Sequence, residues 1–232
     1  MIEVKQLKHS FHIGRMEAKQ TVQVLDNISF SAQQGEILSI VGRSGSGKST
    51  LLHLLSGFIS PDSGSILING IEVTSFSEKQ WAQFRLQHLG FIFQNFQLIP
   101  GLTAYENVEM PLILKEIPPK MRREEVKEIL KQVGLDSYGD FYPKELSGGQ
   151  QQRVGIARAL ITKPDIILAD EPTGSLDSET EADILQLITE LNEERKITFI
   201  IITHDIEVAS ISTRQLQLVN GSLLRGDYIH EA

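Results

Sequence analysis

Apolar side chains occupy every second position at residues 2–4, 22–24 and 28–30, the period of a strand that buries one face. In ILINGIEV at 66–73, Asn69-Gly70 lies between two such runs. That dipeptide predicts a tight hairpin, because both of its residues tolerate positive φ. Three other runs are nearly continuously apolar: ILSIV at 37–41, IILAD at 166–170 and ITFIIIT at 197–203. Such runs predict strands covered on both faces. Apolar residues recur at helical spacing in KSTLLHLLSG after residue 47, in SETEADILQLITELNEE at 178–194, and in REEVKEILKQVG, where Val126, Ile129, Leu130 and Val133 form one stripe. Buried strands alternating with helices predict an α/β fold on a parallel sheet. The antiparallel stretches near the start and at 64–73 predict a second, small sheet flanking it.

Between about 90 and 160 the pattern changes. PLILKEIPPK is rich in proline, helical periods follow, and Pro143 and Pro164 bracket a helix opened by glycines. This predicts an inserted helical lobe. The expectation is a single domain, with a core and antiparallel sheet from 1–89 and 163–232 and a lobe spanning 90–162. A chain of 232 residues fits one such domain and is too short for two. No internal repeat or heptad run is visible.

The 30 acidic side chains against 22 basic ones leave a formal charge of −8, a field that repels polyanions and argues against nucleic acid as a direct partner. There is no cysteine, so disulfides, thiol catalysis and cysteine-based zinc sites are excluded. The longest apolar runs, such as FIII at 199–202, fall well short of the roughly 20 residues of a spanning helix. MIEVKQLKHSF lacks the apolar core of a secretory signal, so the chain is expected inside the cell.

Two glycine-rich helix starts carry the chemistry. Gly42-Arg43-Ser44-Gly45-Ser46-Gly47-Lys48-Ser49 fits G-x-x-x-x-G-K-[ST] between a buried strand and an apolar helix, with Thr50 following. Glycines let the backbone turn tightly, so that successive N–H groups face a concavity suited to phosphate oxygens. Lys48 can neutralise the outer phosphates and Ser49 can ligate Mg²⁺. By average residue usage the pattern arises by chance in roughly one chain in a hundred of this length. The second start is ELSGGQQQRVGIARAL at 145–160. Downstream, ILADEPTGSLD sets Asp170 and Glu171 at the end of a buried strand, where open α/β sheets hold their ligands. In a nucleotide hydrolase the first holds Mg²⁺ and the second polarises the attacking water. His204 follows another buried strand.

With these residues in view, the chain resembles the nucleotide-binding subunit of ATP-binding cassette (ABC) transporters over essentially its whole length. Walker A is similar to 42–49, Walker B to Ile166–Asp170 followed by the catalytic Glu171, the signature to LSGGQ at 146–150, and the D-loop to Ser175-Leu176-Asp177. The resemblance implies a P-loop NTPase (RecA-like) core, with ATP and Mg²⁺ as ligands. It implies Gln94 in FIFQNF as the Q-loop residue, contacting Mg²⁺ and sensing a membrane partner. It further implies His204 as the switch histidine on the γ-phosphate and Phe11 as the aromatic that stacks on adenine. LIPGLTAYENVEMPL at 98–112 resembles the subfamily of lipoprotein-release and macrolide-efflux ATPases, and ABC-type cell-division and bacitracin-resistance ATPases share much of it.

One subunit does not easily bring both helix starts to one γ-phosphate. The resemblance implies that Ser147, Gly148, Gly149 and Gln150 cover the nucleotide held by the opposite subunit, in a head-to-tail homodimer formed on ATP. It implies an integral membrane permease as partner, contacted near the Q-loop and helical lobe, and a place on the inner face of the membrane. A soluble ABC-type ATPase acting on nucleic acid or ribosomes is the alternative, disfavoured by the acidic charge and by the single Walker A. A small-molecule kinase or GTPase leaves LSGGQ unexplained.

Overall fold

The computed structural model describes residues 1–13 and 20–224. In chain order the elements are β1 (Ile2–Ile13), β2 (Gln20–Ala32), β3 (Ile37–Val41), α1 (Lys48–Leu55), β4 (Ser63–Ile68), β5 (Ile71–Glu72), α2 (Glu78–His88), β6 (Leu89–Phe93), α3 (Ala104–Leu114), α4 (Pro119–Gln132), α5 (Gly148–Leu160), β7 (Ile166–Asp170), α6 (Ser178–Arg195), β8 (Thr198–Thr203), α7 (Ile206–Ser210), β9 (Arg214–Val219) and β10 (Ser222–Leu223). Among the described residues they form two compact units, one from residues 1–81 with 200–224 and one from Ala82–Phe199.

In the first unit, β1 is central to an antiparallel sheet ordered β2–β1–β4–β5. The predicted hairpin is present: Ile68 pairs with Ile71 across Asn69 and Gly70, whose φ values are 53° and 75°. Ile2, Val4, Leu7, Leu25, Ile28, Ile66 and Ile68 are buried. The unit's other strands run β10–β9–β3–β8, with β3 parallel to β9 from Leu38–Arg214 to Val41–Gln217. Ile37, Leu38, Ile40, Ile200, Ile201 and Ile202 are buried, as continuous apolar runs require. Leu51, Leu52, Leu54 and Leu55 of α1 are buried too. After α1 the chain turns at Gly57, φ 67°, where a β-carbon would collide with the buried indole of Trp81.

In the second unit β6 runs parallel to β7 from Leu89–Ile166 to Phe93–Asp170. The predicted stripe on α4 is buried at Val126, Ile129 and Leu130, and Val133 at its C-cap is buried as well. Pro118 and Pro119 open α4, where a missing N–H costs little. Pro111 behaves differently from a helix breaker. It lies inside α3 near its C-terminal end, so only a short stretch of helix follows the lost hydrogen bond. The α3 start is fixed by a capping box between Thr103 and Glu106. Arg122 Nε donates to Glu109 at 2.8 Å with both side chains largely covered, tying α4 to α3.

Asn107 joins the loop before α3 to the helix. Its Oδ1 accepts from the Ile99 N–H at 2.8 Å, and its Nδ2 faces the carbonyls of Ile99, Leu102 and Thr103 at 2.9–3.2 Å. The residue is 1% exposed, so no water replaces it. Leaving a buried donor unsatisfied costs about 1–3 kcal/mol. Asn107→Ala is therefore expected to lower stability by about 2 kcal/mol, seen as a lower urea midpoint with an unchanged slope.

Candidate functional site

Within the first unit, the 42–50 loop sits at the end of β3. The Gly42 N–H donates to the Thr203 carbonyl at 3.3 Å, and a β-carbon on Gly42 would collide with the Leu218 carbonyl. The loop carries left-handed glycines, Gly45 at φ 77° and Gly47 at φ 105°. Gly47 is the N-cap of α1 and supplies no side-chain hydrogen bond. The first N–H groups of that helix are consequently uncapped by its own N-cap residue. A β-carbon at Gly47 would approach Leu25 Cδ2 at 2.8 Å and the Val24 carbonyl at 3.1 Å, so only glycine fits.

Lys48 is buried, and its Nζ donates to the carbonyls of Gly42 at 2.7 Å and Arg43 at 3.3 Å. The ammonium is thereby held inside the loop by its own backbone. Ser46 Oγ is buried with no hydrogen-bond partner. Arg43, Ser44, Gly45 and Ser49 are exposed, and Thr50 is half-buried. A cavity of about 440 Å³ opens between residues 42–46 and 217–220. A buried cation, an orphaned hydroxyl and an uncapped helix start together fit a polyphosphate. Ser49, in the first turn of α1, is the residue here that suits a hard cation.

Phe11 and His204 belong to the same unit. Phe11 is 41% exposed, so it is not a core side chain, and its ring meets that of His9 edge-on at 4.7 Å. It pairs with Val22 on β2. The pairing skips Val24 between His9–Leu25 and Ser10–Gln23, so Val24 is the extra residue of a bulge. Its carbonyl faces Gly47. By strand rise and spacing, Phe11 and Val24 lie about 8 Å apart, within the length of one nucleotide. His204 is exposed immediately after buried Thr203, whose Oγ1 accepts from the Asp205 N–H at 2.9 Å.

Within the second unit, β7 ends at half-buried Asp170, and Glu171 follows at φ 45°, in the left-handed region that non-glycine residues avoid. The Glu171 carbonyl accepts from the Gly174 N–H at 3.1 Å. A β-carbon on Gly174 would meet Gln94 Nε2 at 2.9 Å and Glu171 Cβ at 3.4 Å. Gly174 therefore lets the Gln94 amide and Glu171 approach the same point.

The LSGGQ segment lies in this unit too. Ser147 caps α5: its Oγ accepts from the Gln150 N–H at 3.3 Å, while Gln150 Oε1 accepts from the Ser147 N–H at 2.9 Å. The cap leaves the N–H groups of Gly148 and Gly149, in the first turn, outside this reciprocal pair. A β-carbon on Gly149 would collide with Thr180, and one on Gly148 would meet Leu176 Cδ2 at 3.3 Å. Thr180 is fixed by Asp177, the N-cap of α6, through its N–H at 3.0 Å and its hydroxyl at 2.9 Å.

Gln152 is a functional-site neighbour that the sequence reading missed. It is fully buried, and its Nε2 donates to the Pro172 carbonyl, tying α5 to the turn after Glu171. A signal was available: Gln152 shares the buried stripe of Gly149, Ile156 and Leu160. Among the described residues no cluster of three or more His, Cys, Asp or Glu side chains suits a metal ion.

Residues 25–174 match the family described as ABC transporter. Over 226 residues the chain is 64% identical to the ABC transporter ATP-binding protein YtrE of Bacillus subtilis (strain 168), covering 97% of this chain and 98% of that one. Over 223 residues it is 47% identical to the lipoprotein-releasing system ATP-binding protein LolD of Colwellia psychrerythraea (strain 34H), covering 96% and 85%. The dimeric post-hydrolysis structure of the ATP-binding cassette MJ0796 bound to ADP and Pi aligns with a TM-score of 0.90 at 39% identity, over 100% of both chains.

Asp177 offers a pH test. The Thr180 N–H and hydroxyl hold its carboxyl below the ordinary value of 3.8. A depressed folded-state pKa contributes stability that is present above the unfolded value and lost as pH falls through the folded one. The stability difference between the wild type and Asp177→Ala is expected to be constant near neutral pH and to shrink below about pH 4. Thermal unfolding across pH checks this.

Proposed function

Because the chain belongs to the ABC transporter family, as an ATP-binding subunit that hydrolyses ATP, we propose that it drives a separate membrane permease of the exporter or lipoprotein-release type. The name of the LolD relative and the 98–112 stretch support that type. No helix among the described residues is long and apolar enough to cross a membrane. In the proposed arrangement the chain acts at the inner face of the membrane through its partner, contacted near Gln94 and a helical lobe of residues 90–162. No direct role for nucleic acid is proposed.

ATP is held by the N–H groups of 42–50, by Lys48, which exchanges its backbone carbonyls for phosphate oxygens, and by Phe11, which stacks on adenine. Ser49, Gln94 and Asp170 are the residues that would hold Mg²⁺, which would supply positive charge to the phosphates. Glu171 takes the proton of the attacking water, while Gln94 and His204 register the γ-phosphate. Ser147, Gly148, Gly149 and Gln150 close over the nucleotide of a second copy, so ATP joins a head-to-tail dimer. The MJ0796 cassette has been solved as a dimer, which supports this reading.

The observation that carries the proposal is the seating of Glu171 and Gln94 together at Gly174. Glu171→Gln is expected to lower ATP turnover by about 10²–10⁴-fold, the contribution of a general base. Near-normal hydrolysis by the purified variant would remove Glu171 from that role. With ATP and Mg²⁺, light scattering of the same variant is expected to show a dimer, and addition of Ser147→Arg a monomer.

A further inference from the structure

Two residues past Gln94 the backbone turns through an unfavourable conformation that nothing above explains. Phe96 and Gln97 are consecutive non-glycine residues at φ 56° and 47°, and side chains disfavour that region. Both carbonyls are taken by one side chain. Arg158, on α5, donates from Nη2 to the Phe96 carbonyl at 2.8 Å and from Nη1 to the Gln97 carbonyl at 2.6 Å. A planar fork suits two adjacent acceptors, and a lysine point charge does not reproduce it. The Phe96 carbonyl also lies 3.7 Å from where a β-carbon on Gly155 would sit, so α5 has little bulk where the turn approaches.

The other end of Phe96 meets the start of the same helix. Its Cζ lies 3.8 Å from the β-carbon position of Gly148, a point that Leu176 Cδ2 also approaches at 3.3 Å. One residue thus has its carbonyl on the C-terminal half of α5 and its ring on the N-terminal glycine. All of these contacts lie inside the second unit.

We propose that Arg158 is a positioning residue for ATP-driven dimerisation: its guanidinium holds the Phe96–Gln97 turn in the left-handed region, which fixes Gln94 upstream and seats the Phe96 ring against Gly148. The inference rests on the reading that Gly148 and Gln94 serve bound ATP. Without the fork the turn relaxes toward ordinary backbone angles, the ring leaves Gly148, and the helix start loses its orientation.

The test uses the Glu171→Gln chain with ATP and Mg²⁺, and reads the protein concentration at half-dimerisation by light scattering. Arg158→Lys is expected to raise it by about fivefold or more, a size typical of mutations that alter coupling without touching ligand. Adding Gln97→Gly to Arg158→Lys is expected to restore it to within about twofold, because glycine adopts positive φ without a clamp. Gln97 is exposed, so Gln97→Val strains the turn with Arg158 intact, and it is expected to weaken dimerisation in the same direction. Unchanged dimerisation in Arg158→Lys or in Gln97→Val overturns the inference, as does a loss that Gln97→Gly does not restore. If Arg158→Lys does not fold, Gln97→Val alone decides. A Glu171→Gln parent that stays monomeric overturns the underlying reading of LSGGQ as well, which separates the two failures.

Discussion

The first turn of any helix carries N–H groups with no partner inside the helix, and three helix starts in this chain meet that constraint in different ways. At α6 the Asp177 carboxylate satisfies donors and anchors Thr180. At α5, Ser147 and Gln150 satisfy one another's N–H groups and leave those of the two glycines outside the pair. At α1, Gly47 contributes no side chain. The gradient from capped to uncapped separates the starts that hold the protein together from those available to an anion. Because a carboxylate cap carries charge, it would repel the ligand that an uncapped start attracts.

Much of this was legible where the signal is local. The buried strands at 37–41, 166–170 and 197–203 are runs of apolar residues, and the Asn69-Gly70 turn is a two-residue chemical instruction. α2 was not legible: in EKQWAQFRLQH only Trp81 and Phe84 are buried, too few to set a period. β9 and β10 were missed for a related reason: in RQLQLV only Leu216 and Leu218 are buried, too short an alternation to stand out, and β10 is two residues long. The 42–50 loop is contiguous and could be read directly. The approach of Gln94 to Gly174 joins segments far apart in the chain, and Gln152 stood in a run of three identical residues whose burial only the helix phase distinguishes.

Several glycines of the second unit act by what they lack. Gly149 admits Thr180, Gly174 admits the Gln94 amide, and Gly90 admits the Ala159 carbonyl, which would lie 2.7 Å from a β-carbon. None of these three requires positive φ. Their role is close approach, which lets hydrogen-bonded groups pack at interior density. Substituting any of them forces neighbours to shift: the neighbours of Gly174 are Gln94 and Glu171, proposed for catalysis, and Gly149 is itself part of the second helix start. In this unit the packing and the chemistry are thus sensitive to the same substitutions.

Trp81 is the only tryptophan in the chain, and it is buried against Gly57 within the first unit. Its emission is therefore an optical gauge of the packing at the turn after α1. Backbone dichroism, by contrast, sums the helices of both units. Heating the protein while following the two signals distinguishes melting in one cooperative step from loss of one half before the other, without any label being introduced.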